Sequence, residues 1–360
     1  MYNDFGDIMV GILLETEYAS SLWGQNLYRS LIERLKFNRI SYCQIFDICP
    51  MELETVFIIA SNKEWTANAI KQLNAGGMRP ILLCNQSENL PGCVYNCVCS
   101  DINTSMKGLL DILKNQNKTK IVLYGFNAHS LGDIGRINSL LAWKEPHFDT
   151  MQVFSNTGSL QKCFEEFFPN KDEFDAAICA NDFAAVSLVK NLKKHNPKSL
   201  TNFPIISCDS SKISDYYREN IVSMDMNFEQ YGRAAIYIYK ALKKHPYLSE
   251  INTKVVWSIE ESSNQTKRKS IHLQFSDSED RFYDDIELSE MLIVDKLLTL
   301  SDDIEKSIID GFMKGLSYNE IADKCFFTVG GIKYRTKNLM EKIGAKSKDQ
   351  MVELLKKYTL

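Results

Sequence analysis

The sequence has little of what marks several large classes of protein. Its 360 residues include only 8 prolines and 17 glycines, too few for a collagen-like or linker-rich chain. No apolar run is long enough to span a bilayer, and no basic leader precedes the first apolar run. We therefore expect neither membrane insertion nor export, and we expect a cytoplasmic location.

Metal and catalytic motifs are also missing. The ten cysteines show no C-x-x-C spacing, and the cluster Cys93, Cys97 and Cys99 has no histidine in ligand register. The sequence contains no phosphate-binding loop, no nucleophile elbow and no H-E-x-x-H, and its five histidines fall singly. We expect reduced core cysteines, no metal or other cofactor, and no enzymatic activity.

Short apolar runs alternate with amphipathic stretches over residues 1–262. This alternation is typical of βα units built on parallel sheets, and the length favours two lobes over one. The pattern predicts an α/β domain with two lobes. The expected strands are IMVGILL (8–14), TVFIIA (55–60), PILLC (80–84), KIVLYG (120–125), AAICA (176–180), PIISC (204–208) and VVWSI (255–259).

Residues 263–299 form the expected linker, which is polar at first and then strongly acidic. Because acidic side chains crowd residues 277–305, this stretch cannot face DNA. The segment IELSEMLIVDKLLTL is apolar enough for a helix that packs on the following domain or on a partner subunit.

Residues 300–360 predict four capped helices. Ser301 is expected to open the first and Gly315 to close it, and Ser317 to Glu320 has the pattern of a capping box. Thr328 can cap a third helix that Gly344 ends, and Ser347 can cap a fourth. A short helix, a tight turn and a longer helix make a helix-turn-helix, and the four helices form an all-α domain.

The third helix has two unlike faces. Ile332, Thr336, Leu339 and Ile343 share one, and Gly330, Lys333, Tyr334 and Lys337 share the other. A polar, basic face can contact phosphates and base edges in a major groove. The alternative is an ordinary solvated face on a protein-interaction module.

The run from LSDDIEK to VELLKK resembles the LuxR-type, GerE-like helix-turn-helix domain, through GLS-x-x-EIA, the capped T-V-x-x-I-K and KIG. The resemblance implies a transcription regulator that binds DNA, usually as a homodimer, with Thr328 to Gly344 as its recognition helix. Ile304, Thr336 and the pair Gly330 and Gly331 depart from the family pattern. The implied DNA-binding residues are Ser317, Thr328, Lys333, Tyr334, Arg335, Lys337, Asn338, Lys346 and Lys348.

The first 262 residues resemble, more loosely, the periplasmic-binding-protein-like effector domain of LacI/GalR-type repressors. AAICANDFAAVSLVKNLKKH, ISCDSS and NFEQYGRAAIYIYKAL carry the resemblance, while the amino-terminal DNA-binding helices of that family are missing here. The resemblance implies a small polar effector, sugar-like by analogy, held between lobes at the strand ends. The candidate ligand-binding residues are Tyr18, Trp23, Ser61, Asn62, Asp101, Arg136, Asn181, Asp182 and Asp209.

Each of these residues has a structural alternative. Asn181 and Asp182 could cap the helix that follows, Trp23 could be core, and Arg136 could form an ion pair. Other functions also stay open: a response regulator, a ligand-free regulator whose large domain mediates dimerisation or protein docking, and a solute-binding protein. The response regulator is disfavoured because Glu15 and Glu17 are a poor substitute for its acidic pair.

Overall fold

The computed structural model describes residues 9–16, 18, 21–46, 53–87, 89–128, 130–209, 211–259 and 285–359. Most of the expected linker, from residue 263 to residue 284, lies outside the described residues. The chain divides into two compact units. Unit 1 comprises residues 1–105, 225–258 and 274–279, and unit 2 comprises residues 106–224, 259–273 and 280–360.

Unit 1 is built on a six-stranded sheet with the order β11-β5-β4-β3-β1-β2. Its neighbouring strands pair in parallel, as the register Ile12 to Phe57 and Leu82 to Cys97 illustrates. The strands are β1 (Val10–Leu14), β2 (Tyr42–Ile45), β3 (Thr55–Ile59), β4 (Arg79–Leu83), β5 (Asn96–Ser100) and β11 (Asn252–Val255). The helices are α1 (Leu22–Phe37), α2 (Lys63–Ala75) and α7 (Phe228–Lys244), and α3 (Ile102–Asn115) follows β5 into unit 2.

Helices α1 and α7 approach each other closely at Gly232. A Cβ atom there would lie 2.4 Å from the carbonyl oxygen of Ser30, so only glycine fits. The Ser30 hydroxyl donates to the Phe228 carbonyl at 2.6 Å and accepts from the Gly232 N–H at 3.0 Å. These contacts tie the start of α7, which comes late in the sequence, to the first helix of the unit.

Unit 2 contains a second six-stranded sheet, with the order β12-β10-β9-β8-β6-β7. The pairs β6–β7, β6–β8, β8–β9 and β9–β10 are parallel. The strands are β6 (Lys120–Phe126), β7 (Thr150–Ser155), β8 (Ala176–Cys179), β9 (Ile205–Ser207), β10 (Ile221–Asp225) and β12 (Ser258–Ile259). The helices are α4 (Leu131–Ala142), α5 (Leu160–Phe167) and α6 (Asp182–His195), with 3-10 turns at Phe168–Glu173, Pro197–Leu200 and Ile213–Tyr217.

The two parallel sheets confirm the predicted α/β fold class. One expected strand differs in detail, because VVWSI contributes to both sheets: β11 ends at Val255 and β12 begins at Ser258. Cys97 and Cys99 lie buried on β5, as expected of core cysteines. Among the described residues, no helix is both long and apolar enough to cross a bilayer.

The carboxy-terminal helices belong to unit 2. They are α8 (Ile286–Leu300), α9 (Asp303–Met313), α10 (Tyr318–Cys325), α11 (Val329–Ile343) and α12 (Lys348–Thr359). Met291 and Val294 of α8, Phe312 of α9 and Leu339 of α11 share one buried hydrophobic cluster with residues such as Phe164 of α5. Helix α8 therefore packs inside its own unit, against the sheet domain and the helices that follow.

The start of α9 corrects one expectation. Asp302, and not Ser301, is its N-cap, with Glu305 completing a capping box. The Ser301 hydroxyl instead donates to the Leu297 carbonyl at 2.6 Å and so belongs to the end of α8.

Candidate nucleic-acid interface and effector site

Helix α10 begins with the expected capping box. The Ser317 N–H donates to Glu320 Oε2 at 2.7 Å, and the Glu320 N–H donates to Ser317 Oγ at 3.3 Å. The hydrogen bond from the Ser317 N–H lowers the pKa of the Glu320 carboxyl. Gly311 of α9 allows α10 to pack closely, because a Cβ atom there would lie 2.6 Å from Ile321 Cγ1.

Helix α11 also begins and ends as expected. Thr328 Oγ1 accepts from the Gly331 N–H at 3.1 Å, and Gly344 ends the helix with φ +67° in the left-handed region. Ile332, Thr336 and Leu339 are buried. Thr336 stands where the LuxR-type pattern has an aliphatic side chain. Its hydroxyl donates to the Ile332 carbonyl at 2.8 Å, so its burial leaves no unpaired hydroxyl.

The opposite face of α11 is open. Lys333, Tyr334 and Lys337 are exposed, and so is Gly330. Tyr334 is 67% exposed, and the Lys337 side chain is 71% exposed with its ammonium 3.7 Å from Glu341. Lys333 also lies with its ammonium 5.8 Å from the centre of the Tyr318 ring. A basic, aromatic and accessible stripe on one face of a helix is what groove binding needs.

The other proposed DNA-binding residues vary in how much they are already engaged. Arg335 Nη1 lies 2.7 Å from Asp302 Oδ2, and its guanidinium stacks over the Phe327 ring. Burial raises the pKa of Asp302, but the Glu305 N–H and Arg335 outweigh it and leave the pKa lowered. Lys346 is exposed, Asn338 and Lys348 are half-buried, and Ser317 and Thr328 cap their helices with their side chains.

Two of the proposed effector residues of unit 1 cap helices. The Asn62 side chain accepts from the Trp65 N–H at 3.0 Å, and Asp101 Oδ1 accepts from the Thr104 N–H at 3.1 Å. The Ser61 and Asn62 N–H groups both donate to Glu15 Oε2, at 2.7 and 3.0 Å. Glu15, a buried carboxylate that sequence reasoning did not select, therefore holds the loop after β3.

The aromatic residues that follow β1 lie in an aromatic cluster. The ring centre of Trp23 is 4.8 Å from that of Phe228, 6.0 Å from that of Tyr231 and 6.4 Å from that of Trp257. The Tyr18 hydroxyl is buried and has no hydrogen-bond partner among the described residues. Burial raises the pKa of Tyr18 well above its ordinary value, so the hydroxyl stays protonated and can donate.

In unit 2, Arg136 is buried and paired. Its Nη2 contacts Asp133, three residues earlier on α4, and its Nη1 donates to the Cys208 carbonyl at 3.3 Å. Its Nε–H has no partner among the described residues. The D-x-x-R spacing was the available sequence signal for this pair, because residues three apart share a helix face.

Asn181 and Asp182 have different roles. Asn181 caps α6 by accepting from the Ala184 N–H at 2.9 Å. Asp182 is fully buried, and its carboxylate accepts from the hydroxyls of three serines and from the Ser211 N–H at 2.5 Å. Burial raises the pKa of Asp182, and the hydroxyls and N–H oppose that rise. Asp182 therefore fixes the loop that follows β9.

Asp209 lies on this same loop and is half-buried, near enough for its charge to favour the charged form of Arg136. The structure thus brings Arg136, Asp182 and Asp209 to one place in unit 2. A charged pair, a further carboxylate and an unpartnered N–H donor can bind a small ligand rich in hydroxyl or carboxylate oxygens.

The fold and the exposed face of α11 define a DNA-binding transcription regulator with a carboxy-terminal helix-turn-helix. Residues 300–355 match the family model of the bacterial regulatory proteins, luxR family, so this part of the chain is a LuxR-type domain. No curated protein sequence matches the chain.

Solved structures show the fold of the remainder. The Lac repressor bound to ONPG is similar with a TM-score of 0.55 and 10% identity, over 71% of this chain and 80% of that one. A ribose operon repressor from Lactobacillus acidophilus matches with a TM-score of 0.52 and 14% identity, over 70% and 96%. A ribose-bound LacI-family regulator from Enterococcus faecalis V583 matches with a TM-score of 0.53 and 14% identity, over 70% and 97%. The α/β part therefore has the fold of the LacI-type effector domain.

Proposed function

We propose that this protein is a cytoplasmic, sequence-specific transcription regulator that responds to a small polar metabolite. The observation that carries the proposal is that an open basic face on α11 and one of the two sheets of the LacI-type α/β domain lie in one compact unit. The basic face meets DNA, and the strand ends of the α/β domain hold the effector. The protein acts as a homodimer on two half-sites about 34 Å apart, the usual arrangement for helix-turn-helix proteins.

The chemistry at Arg136 supports a hydroxyl-rich effector. The buried guanidinium keeps one N–H without a partner among the described residues, and Asp133 and Asp209 supply acceptors beside it. Carboxylates and a guanidinium recognise sugar hydroxyls by charge-assisted hydrogen bonds. One of the similar solved proteins is a ribose operon repressor and another was solved with bound ribose, which makes a pentose the first compound to test.

A thermal-shift screen of ribose, other sugars, nucleosides and amino acids tests the effector. We expect one class to stabilise the protein by about 2.7 kcal/mol when present at a hundred times its dissociation constant. Arg136→Ala should abolish this effect, while Arg218→Ala, at an exposed arginine of the same unit, should leave it unchanged.

The matching DNA experiment selects operators from random duplexes with the full chain and measures affinity with and without the stabilising compound. A regulator of this kind shows a change in affinity, since an effector acts only through unequal binding to two states. Absence of any hit would favour a ligand-free regulator whose large domain serves dimerisation or docking. Labelling of an aspartate by acetyl phosphate would favour a response regulator instead.

A further inference from the structure

Helix α8 is held to the sheet domain of unit 2 by acidic side chains. Asp285 Oδ2 accepts from the Leu160 N–H at the start of α5, at 2.7 Å. Glu287 accepts from the Ser187 hydroxyl on α6 at 2.9 Å. Asp295 Oδ1 accepts from the N–H groups of Lys212 and Ile213, at 2.5 and 2.9 Å. Asp285, Glu287 and Asp295 therefore anchor α8 to the sheet domain.

Asp295 differs from Asp285 and Glu287 because its partners lie next to the proposed effector residues. Lys212 and Ile213 end the segment 208–213, which leaves β9 and leads into the 3-10 turn Ile213–Tyr217. The Cys208 carbonyl, at the other end of this segment, accepts from Arg136 Nη1. Asp209 follows at once, and Ser211 is tied to Asp182 through its N–H and hydroxyl. Cys208 and Ser211 thus contact proposed effector residues, and Lys212 and Ile213 contact α8.

On its other side, α8 is joined to the recognition helix. Lys342, in the last turn of α11, donates to the Leu300 carbonyl at the end of α8, at 3.1 Å. The same ammonium lies 2.6 Å from Glu305 Oε2 on α9. A lysine at a helix carboxyl end also complements the partial negative charge of the carbonyls there. Lys342 therefore links the carboxyl end of α8 to the last turn of α11.

We propose that Asp295 is a positioning residue that couples the effector end of segment 208–213 to the orientation of the DNA-binding helices. This inference rests on the proposed function, since it describes how the same site regulates DNA binding. Asp295 is 3% exposed, so its carboxylate cannot exchange the two N–H groups for water when the segment moves. Movement of the segment at Arg136 or Asp209 instead displaces α8.

A double-mutant cycle on DNA affinity tests the coupling without any effector. Asp209→Asn perturbs the effector end of the segment. Asp295→Asn weakens the hydrogen bonds to the Lys212 and Ile213 N–H groups at the other end. Asp285→Asn is the matched control, because it removes the charge of an α8 carboxylate that accepts from a helix start outside the segment. Dissociation constants are measured by fluorescence anisotropy on one selected operator.

We expect Asp209→Asn to change the dissociation constant at least fivefold in the wild-type and Asp285→Asn backgrounds, and less than twofold in the Asp295→Asn background. Equal effects in all three backgrounds, or no effect in the wild-type background, would overturn the proposal. Loss of the Asp209→Asn effect in the Asp295→Asn and Asp285→Asn backgrounds alike would show that Asp295 is one structural anchor among several. That result would also overturn the proposal.

Amide exchange gives a second readout that does not depend on folding of the Asp295 variant. In Asp209→Asn, the Lys212 and Ile213 amides and those of α8 should exchange at least fivefold faster than in the wild type, while the α5 amide of Leu160 stays unchanged. Unchanged exchange at Lys212 and Ile213 would overturn the proposal. A negative effector screen together with the expected result of the double-mutant cycle would separate the two claims. It would support the coupling through Asp295 and contradict the small-molecule effector.

Discussion

The ammonium of Lys342 lies 2.6 Å from Glu305 Oε2, and both side chains are mostly buried, at 19% and 8% exposure. Lys342 thus contributes to the interior of the helix-turn-helix domain. Loss of one member of a buried ion pair leaves the other charge without compensation.

We expect Lys342→Ala to destabilise the helix-turn-helix domain by about 3 kcal/mol, because the Glu305 carboxylate stays buried without its cation. Urea-induced unfolding of the full chain, followed by the loss of helix signal, measures the effect. Lys337→Ala is the control on the same helix: its pair with Glu341 is exposed at 3.7 Å and should contribute less than about 0.5 kcal/mol. Equal losses in the two variants would contradict a buried role for Lys342.

Gly330 and Gly331 offer a matched pair at the start of α11. A Cβ atom at Gly330 meets nothing within 4 Å, so Gly330→Ala should stabilise the helix by about 0.5 to 1 kcal/mol through propensity alone. A Cβ atom at Gly331 would lie 3.2 Å from Oγ1 of the capping residue Thr328, so Gly331→Ala should stabilise the helix less than Gly330→Ala does. Hydrogen exchange of the α11 amides compares them, and a larger gain from Gly331→Ala would show that the cap is arranged differently.

Asp295 predicts a pH dependence of stability. Burial raises its pKa from 3.8 to about 6; the Ile213 and Lys212 N–H groups and the Lys212 charge oppose this rise, and Asp182 adds to it. Between these two pH values the folded protein binds more protons at this site than the unfolded chain does. The contribution of the side chain to stability is therefore greatest below pH 3.8 and falls by about 3 kcal/mol as the pH rises to 6.

The difference in unfolding free energy between the wild type and Asp295→Asn isolates this contribution. We expect that difference to decrease from pH 4 to pH 6 and to be constant above about pH 6.5. Parallel pH profiles for the two proteins would show that the Asp295 carboxyl titrates at its ordinary pKa.

Strands buried on both faces could be predicted from the sequence, because Val56 to Ile59 and Ile121 to Leu123 form unbroken apolar runs. Two strands at sheet edges, β2 and β7, were not predicted, since polar residues interrupt them. Strand β10 was not predicted either, because Ser223 and Asp225 interrupt its apolar residues and Val222 is exposed. The helix caps at Ser317, Thr328 and Gly344 were predicted correctly because capping depends on residues within one turn.

The partners of the site residues could not be predicted in this way. Asp182 binds Ser207, Ser211 and Ser223, which lie 25 to 41 residues away, and Asp295 binds N–H groups more than 80 residues away. The sequence places Asp182 at a strand end, which predicts either a ligand-binding residue or a helix cap. Only the tertiary structure shows a carboxylate that orders the loop beside Arg136.

The salt dependence of DNA binding tests the central claim most directly. On one selected operator, fluorescence anisotropy at several salt concentrations gives the slope of log affinity against log salt for the wild type, Lys333→Ala, Lys337→Ala and Lys342→Ala. Each lysine that neutralises a phosphate contributes about 0.9 to this slope. We predict slopes shallower by about that amount for Lys333→Ala and Lys337→Ala, with the fold intact, and an unchanged slope for Lys342→Ala. Unchanged slopes and affinities in the first two variants would contradict the placement of the DNA-binding face on α11.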